Sequence, residues 1–462
     1  MRTHRAWRMA LGVLLPIVLQ AQTENWVYRL AGPGGSSDVA TSIHYGADGN
    51  IYAAGYVCGE GVNQAITVVS LTSAGDTNWV YRHDVPTTID RANSIAYGAD
   101  GNIYVAGTSG SDFTVISLSP AGGTNWVYRC TSSTEANSLV YGADGNIYAA
   151  GSCGGCFGVI SLTQTGDTNW TYRYVREGFR GSALPLVFGD DGNIYAAGSI
   201  GYYFPALSWF CVVSLTTAGD TNWVREVYLG QSSATSLVYG DGNVYAAGVG
   251  YSWPLVGVFV VASLTAAGST NWVYLYDAPG GREDHATSIA YGADGNVYAA
   301  GTTYDSVAER RGFTVISLMS SGDTNWVYWY SPTRIGGDFA HSIVCGEDCN
   351  IYAGGYSIGD GTYGDLTVIS LRTAGDTNWT YRYDGPGSFN DAAYSVAYGA
   401  DGRVYAAGYS GGLGTGLDFT VVSLNPVLGV NEDVADAGQA RPGPTIARGV
   451  LFVGRELLAD SR

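Results

Sequence analysis

The chain has 462 residues, of which 67 are glycine and 35 are tyrosine, and its charged fraction is only 13%. This composition favours many short strands joined by tight turns and offers few of the Lys, Glu and Leu positions that long helices need. The formal net charge of −18 repels phosphate backbones and anionic lipid headgroups, which argues against nucleic acid as a partner.

Residues 1–21 predict a signal peptide. Arg2, Arg5 and Arg8 form a cationic start, and an apolar run over residues 10–19 precedes the small Ala21. Because this run is too short to span a bilayer, we expect an exported protein, extracellular or at the cell surface, with no integral membrane segment. An uncleaved N-terminal anchor is the alternative.

An internal repeat dominates residues 22–424. An Asn-Trp pair recurs every 44 to 54 residues, at Trp26, Trp79, Trp126, Trp170, Trp223, Trp272, Trp326 and Trp379. Each interval contains a Ser-Ile-Ala-Tyr-Gly-like run, an Asp-Gly-Asn turn, an Ile-Tyr-Ala-Ala-Gly run, a variable loop and a Thr-Val-Ile-Ser-Leu run. Asp-Gly suits a tight hairpin, so each copy predicts four antiparallel strands. Eight copies at this period predict an all-β, eight-bladed β-propeller.

The phase of the repeat predicts how the ring closes. If the Ser-Ile-Ala-Tyr run is the innermost strand, the Trp strand is outermost. The chain then begins on an outer strand and ends its last repeat on a third strand, over residues 419–424. We therefore expect the N-terminal strand to complete the last blade, which leaves no open edge in the ring.

The repeat unit carries a family resemblance. The segment from Tyr291 to Gly301, followed by Phe313 to Leu318 and by Trp326, resembles the bacterial propeller repeats called SBBP repeats. It is similar, more loosely, to blades of pyrroloquinoline quinone enzymes. Both resemblances imply the propeller fold, and neither blade motif specifies a function.

Two segments follow the repeats. Residues 425–444 are acidic and rich in Gly and Pro, which indicates a linker. Residues 445–462 resemble the opening of the C-terminal sorting domain of the type IX secretion route, although the later strands of that domain are missing. A frayed tail is the alternative.

Four of the seven cysteines form close pairs. Cys153 and Cys156 flank two glycines in a loop between strands, where a local disulfide or inert thiols are favoured over redox catalysis. Cys345 and Cys349 flank a turn at positions where other copies carry Tyr and Gly, and a disulfide could close that hairpin after export.

The variable loops predict a binding face. Links from outer to inner strands and from second to third strands vary between copies, whereas the other two links are nearly constant. Strands in a meander alternate in direction, so all variable loops belong to one face of the disc, and binding residues tend to lie on such loops. No motif of an esterase, metalloprotease or nucleotide-binding site appears in the sequence.

Two groups of residues on this face are candidate sites. Five copies carry an acidic residue just before the inner strand: Asp38, Asp90, Asp284, Asp338 and Asp391. These carboxylates could bind calcium at the channel mouth or merely cap their own loops. Aromatic insertions in two adjacent blades could bind a ligand or bury one another: Tyr202, Tyr203, Phe204, Trp209, Tyr251 and Trp253.

These features predict a monomeric binding or scaffolding module, not an enzyme, for a glycan, an envelope component or a protein. No cofactor is predicted beyond the calcium that the acidic residues could hold. A quinoprotein-like dehydrogenase with a cofactor in the channel is one alternative, and a purely structural spacer is another.

Overall fold

A computed structural model describes residues 24–33, 35, 37–59, 63–131, 135–202, 207–251, 257–278, 283–307, 309–333, 337–359, 361, 363–387 and 389–425. The predicted signal peptide and the segments after residue 425 lie outside the described residues. No helix within the described ranges is long and apolar enough to cross a membrane.

The described chain forms 32 strands, which run in order as β1 (Glu24–Leu30), β2 (Val39–Tyr45), β3 (Ile51–Cys58), β4 (Gln64–Leu71), β5 (Thr77–His83), β6 (Asp90–Tyr97), β7 (Ile103–Ser109), β8 (Asp112–Leu118), β9 (Thr124–Cys130), β10 (Glu135–Tyr141), β11 (Ile147–Cys153), β12 (Cys156–Leu162), β13 (Thr168–Tyr174), β14 (Arg180–Phe188), β15 (Ile194–Tyr202), β16 (Leu207–Leu215), β17 (Thr221–Val227), β18 (Ser233–Gly240), β19 (Asn243–Gly250), β20 (Val258–Thr265), β21 (Thr270–Tyr276), β22 (His285–Tyr291), β23 (Val297–Asp305), β24 (Arg310–Leu318), β25 (Thr324–Tyr330), β26 (Phe339–Cys345), β27 (Asn350–Ile358), β28 (Gly364–Arg372), β29 (Thr377–Tyr383), β30 (Ala392–Tyr398), β31 (Val404–Gly412) and β32 (Gly416–Leu424).

These strands form eight antiparallel sheets of four, as the sequence predicted. Blades 1 to 7 each take four consecutive strands, beginning with β2–β5 as blade 1 and ending with β26–β29 as blade 7. The second and third strands are almost wholly buried because both of their faces pack against neighbouring blades. The hydrophobic core therefore lies between blades, as where Tyr52 and Val68 of blade 1 pack against Ile95 and Val105 of blade 2.

Blade 8 combines the two ends of the propeller, which confirms the predicted closure. Its order is β1-β32-β31-β30, and β1 pairs antiparallel with β32 from Glu24↔Leu424 to Leu30↔Phe419. The Arg29 guanidinium also pairs with Asp418. Sheet pairing, apolar packing and an ion pair thus join the N-terminal strand to the last blade.

A repeated tryptophan contact joins each blade to the next. Trp26 donates a hydrogen bond from Nε1 to the carbonyl of Ser73 at 3.0 Å, and its ring lies against Gly75 of blade 1. A Cβ at Gly75 would be 2.7 Å from the indole Cγ, and its φ is +90°, so both space and backbone conformation require glycine. The same Nε1–carbonyl bond is made by six further residues: Trp79, Trp126, Trp170, Trp223, Trp272 and Trp326.

The eighth copy, Trp379, differs. The turn that would accept its hydrogen bond would follow Leu424, where the third strand of blade 8 ends and the blade is completed by β1 instead. Trp379 is buried, and its Nε1 has no acceptor among the described residues. Within the described residues, the seam at Trp379 therefore lacks the standard turn.

Deleting residues 24–30 should greatly destabilise the propeller because it removes β1 and the rings of Trp26 and Tyr28, which pack on the core between blades 8 and 1. We expect a loss of at least about 3 kcal/mol in the free energy of unfolding, measured by urea titration. Deleting residues 431–462, which follow the last described strand, is the control and should change stability little. Equal losses in the two truncations would contradict closure by β1.

Candidate binding face

The five candidate aspartates are buried loop caps. Their exposed fractions are 0–1%, and each side chain accepts hydrogen bonds from backbone N–H groups within its own blade. Asp391, for example, accepts from Gly411 at 2.7 Å through Oδ1 and from Gly385 at 3.0 Å through Oδ2. The same contact with the end of the second strand is made by Asp38, Asp90, Asp284 and Asp338.

Asp338 has only half of this arrangement. Its Oδ1 accepts from the N–H of Ile358 at 2.8 Å, whereas Oδ2 has no hydrogen-bond partner among the described residues. The residue six positions earlier, which supplies the second N–H to Asp38, Asp284 and Asp391, is Pro332 in this blade. Proline has no N–H, so the second bond cannot form.

Burial raises the pKa of four of these carboxyl groups, those of Asp38, Asp284, Asp338 and Asp391. Desolvation raises the pKa of Asp284 to about 7 and that of Asp391 to about 6, although backbone N–H bonds oppose the shift. Desolvation likewise raises the pKa of Asp338 to about 6 against the opposing effects of the Ser331 hydroxyl and the Ile358 N–H. The pKa of Asp38 is also raised by burial.

The five carboxylates are not gathered into one cation site. Within the described ranges, the acidic side chains that approach one another closely enough for metal ligation are Asp365, Asp384 and Asp391. Of these, Asp365 pairs with Arg382 and Asp391 accepts two backbone N–H bonds. The hydrogen bonds of the predicted five therefore support the loop-capping role that the sequence left open.

An aromatic–arginine patch lies on the variable face between blades 3 and 4. We define it as Arg176, Phe179, Tyr202, Trp209 and Tyr228. The Phe179 ring centroid is 3.9 Å from that of Tyr202 and 5.2 Å from that of Trp209, and Tyr228 contacts Trp209 at 5.3 Å. The planes meet at 43° to 49°, so the rings form a faceted surface rather than a flat stack.

Charge borders this patch. The Arg176 guanidinium lies 4.3 Å from the Phe179 ring centroid and 5.6 Å from that of Trp209. Arg176 Nη1 also donates to Glu226 Oε2 at 2.8 Å, and Glu226 Oε1 accepts from the Tyr174 hydroxyl at 2.6 Å. Tyr202 and Tyr228 are 39% and 53% exposed, so ring surface next to these polar groups faces solvent.

The patch contains two of the six aromatic residues predicted from the sequence, Tyr202 and Trp209. Tyr203, Phe204 and Trp253 lie outside the described residues. Tyr251 is 40% exposed, and it joins no ring pair within the described part of the chain. Sequence reasoning missed Arg176, Phe179 and Tyr228 because it considered only insertions between second and third strands, whereas these residues occupy links between blades.

A second aromatic surface, also missed from the sequence, follows the inner strands of blades 6 to 8. Phe339 contacts Tyr356 at 5.0 Å, His341 contacts Tyr394 at 5.0 Å, and Tyr394 contacts Tyr409 at 5.6 Å. Burial and the nearby His285 lower the pKa of His341 to about 4, which keeps its ring neutral at physiological pH. The sequence does carry a signal for this surface. His341 and Tyr394 occupy the inner-strand position where blades 1 and 2 have Thr41 and Asn93, whose side chains hydrogen-bond to the adjacent blade.

The four paired cysteines are thiols, not disulfides. Cys153 lies opposite Cys156 across a hairpin, and its Sγ is 3.1 Å from Arg173 Nε. Cys345 is partly buried and Cys349 is exposed, and burial raises the pKa of the Cys345 thiol to about 12. The predicted disulfides are therefore absent from this structure.

Comparison with known proteins supports the fold but not a family or a function. No protein-family model and no curated protein matches the chain, so the resemblances to SBBP repeats and to a type IX sorting domain stay predictions. The C-terminal WD40 domain of Sif2 is similar in structure, with a TM-score of 0.55 and 11% identity over 87% of this chain and 98% of that one. The WD40 domain of SCAP from fission yeast has a TM-score of 0.44 and 9% identity over 87% and 97% of the two chains.

Because Asp338 Oδ2 has no hydrogen-bond partner among the described residues, we predict that Asp338→Asn increases stability in a pH-dependent way. The folded-state pKa is above the unfolded value, so the folded chain retains a proton that the unfolded chain releases, and stability from this group falls as pH rises from about 4 to about 6. The amide does not titrate. We expect equal urea stability of wild type and variant near pH 4 and a variant more stable by about 2 kcal/mol near pH 7.5.

Asp391→Asn is the matched control. Both oxygens of Asp391 accept backbone N–H bonds, so its amide must direct an NH₂ group at an N–H donor. This variant should be less stable than wild type near pH 7.5. Equal losses in both variants at that pH would contradict the difference assigned to Pro332.

Proposed function

We propose that this propeller is a binding module and that the aromatic–arginine patch binds a carbohydrate. The observation that carries the proposal is the cluster of aromatic rings, two of them exposed, beside the Arg176–Glu226 pair. Sugar rings offer C–H faces that pack on aromatic side chains, and their hydroxyls accept from guanidinium groups and donate to carboxylates. Rings tilted by 43° to 49° to one another suit a bulky, puckered ring better than a planar ligand.

The position of the patch supports this function. Phe179 and Tyr228 lie in links between blades, whereas Tyr202 and Trp209 belong to strands, so loop residues are placed against a rigid wall. Phe179 and Trp209 also pack on the core between blades 3 and 4. Partial burial restricts these two rings before a ligand arrives, which reduces the entropy lost on binding.

A non-catalytic role is part of the proposal. The buried aspartates before the inner strands are acidic groups that a hydrolase or dehydrogenase could recruit on this face. Both oxygens of four of them accept backbone N–H bonds that hold the loops, and Asp338 accepts one such bond through Oδ1. We also propose export of the chain, supported by the cationic and apolar start of the sequence.

The test uses the two most exposed rings of the patch. The double variant Tyr202→Ala/Tyr228→Ala should weaken binding to any glycan identified on an array by about tenfold or more, because two stacking surfaces are lost. Trp209 is a poorer choice for truncation because it is partly buried in the core. Affinity is measured by calorimetry on the full chain.

The control removes two exposed rings elsewhere on the variable face. Tyr363 and Phe389 are 62% and 51% exposed, so Tyr363→Ala/Phe389→Ala deletes comparable surface away from the patch. This variant should bind as wild type does, and both variants should keep wild-type urea stability within about 1 kcal/mol. Loss of glycan binding only in the control, or no glycan bound by the wild type, would refute the carbohydrate assignment.

A further inference from the structure

A stack of aromatic rings occupies the seams between blades on the side of the constant turns. In seven seams, the tyrosine near the start of one blade's second strand lies against an aromatic residue that is the last or, in blade 5, the last but one residue of the next blade's inner strand. Centroid distances are 5.5 to 5.8 Å for the pairs Tyr405–Tyr45, Tyr52–Tyr97, Tyr104–Tyr141, Tyr148–Phe188, Tyr195–Tyr239, Tyr245–Tyr291 and Tyr352–Tyr398.

The seam between blades 6 and 7 lacks the second ring. Tyr298 is present in blade 6, but Cys345 takes the place of the expected tyrosine in blade 7. A Cβ at Gly98 would lie 3.0 Å from the ring of Tyr141, whereas the three atoms nearest to a Cβ at the equivalent Gly292 belong to Asp294 and Tyr298. The ring is therefore missing from a position that its neighbours still enclose.

The missing ring leaves a cavity of about 170 Å³. Its walls include Asp294, Tyr298, Cys345, Cys349, Asn350 and Thr373. Engineered apolar cavities of about 150 Å³ in other proteins bind benzene, so the space is sufficient for one aromatic ring. Tyr298 is 1% exposed and forms one wall. Burial raises the pKa of the Cys345 thiol to about 12, so this wall stays uncharged.

The rim of the cavity is polar. In the equivalent seam between blades 2 and 3, the Tyr141 hydroxyl accepts from Gln164 Nε2 at 2.8 Å near the turn glycine Gly145. A ligand ring in the same orientation would therefore place a hydroxyl at the rim between blades 6 and 7, where Asn350 and Thr373 lie. A phenol matches this division between an apolar interior and a polar edge better than an unsubstituted hydrocarbon does.

We propose that the seam between blades 6 and 7 is a binding site for a small phenol, whose ring packs on Tyr298 in place of the missing tyrosine. The ligand is a free small molecule, since the backbone from which a tyrosine side chain would project is occupied by Cys345 itself. The cavity therefore has room for the atoms of one tyrosine side chain but not for a peptide attached to them. This site is separate from the carbohydrate patch, which lies on the opposite face.

Cys349 provides a reporter at the same site. It stands where the other seven copies carry glycine, with φ of +62°, and its exposed thiol lines the cavity. A phenol in the cavity would restrict access to this sulfur. The rate of Cys349 alkylation, followed by peptide mass spectrometry, therefore reports occupancy independently of binding heat.

The test titrates the reduced full-length protein with 4-methylphenol, which is the tyrosine side chain without its backbone. We expect binding of one molecule in the millimolar range or tighter, as its few heavy atoms permit, and at least about tenfold weaker binding of 4-methylcyclohexanol. Saturating 4-methylphenol should slow Cys349 alkylation severalfold and leave Cys156, on the opposite face, unaffected.

Two variants test the location. Cys345→Tyr should restore the stack, abolish 4-methylphenol binding and raise the melting temperature. Tyr97→Cys should open an equivalent gap beside Tyr52 and increase the stoichiometry from one to two, with the original site as an internal control for folding. Undetectable wild-type binding, or equal binding by wild type and a folded Cys345→Tyr, would overturn the proposal.

Discussion

The contact between a tryptophan and the turn of the next blade is the constraint on which this ring depends. Seven of the eight indoles lie on a glycine and donate to a carbonyl at their edge, and the repeat supplies both within one short turn. The same turns leave the indole within about 6 Å of a buried tyrosine of its own blade, which the next blade covers in turn. Neighbouring sheets share no ladder of backbone hydrogen bonds among the described strands, so aromatic packing is a main contact between blades, together with aliphatic packing and side-chain hydrogen bonds.

This constraint applies to the face that carries the constant turns, and it leaves the loops on the opposite face free to vary. The constant turns carry the aspartate that accepts from the second-strand tyrosine, as Asp48 does from Tyr52 at 2.6 Å, and the asparagine that joins turn to outer strand. On the opposite face, length and composition vary, and in five blades a buried aspartate ties the loop before the inner strand to the end of the second strand. A carboxylate suits this role since it accepts two N–H bonds at once, at the cost of desolvation that raises its pKa.

The fold could be predicted from the sequence because it depends on a repeated local pattern. Eight Trp residues and the phase of the strands were enough to predict eight blades and the pairing of β1 with β32. The patch could be predicted only in part, since Tyr202 and Trp209 are adjacent to a visible insertion whereas Phe179 meets them from another link. Cys345 indicated a local disulfide when the hairpin alone was considered. Its effect became apparent only once the ring that it replaces was located against the preceding blade.

The split composition of blade 8 has a consequence for the order of the chain. Because seven seams use the same indole–turn contact, the position of the chain ends is not imposed by the geometry of the ring. A circularly permuted chain could join the present ends through a constant turn and begin instead at another outer strand, such as β5. In that arrangement a constant turn would lie next to Trp379, whose Nε1 has no acceptor among the described residues, and the unfilled donor would move to the blade that precedes the new break. The defect belongs to the cut in the polypeptide rather than to any one blade.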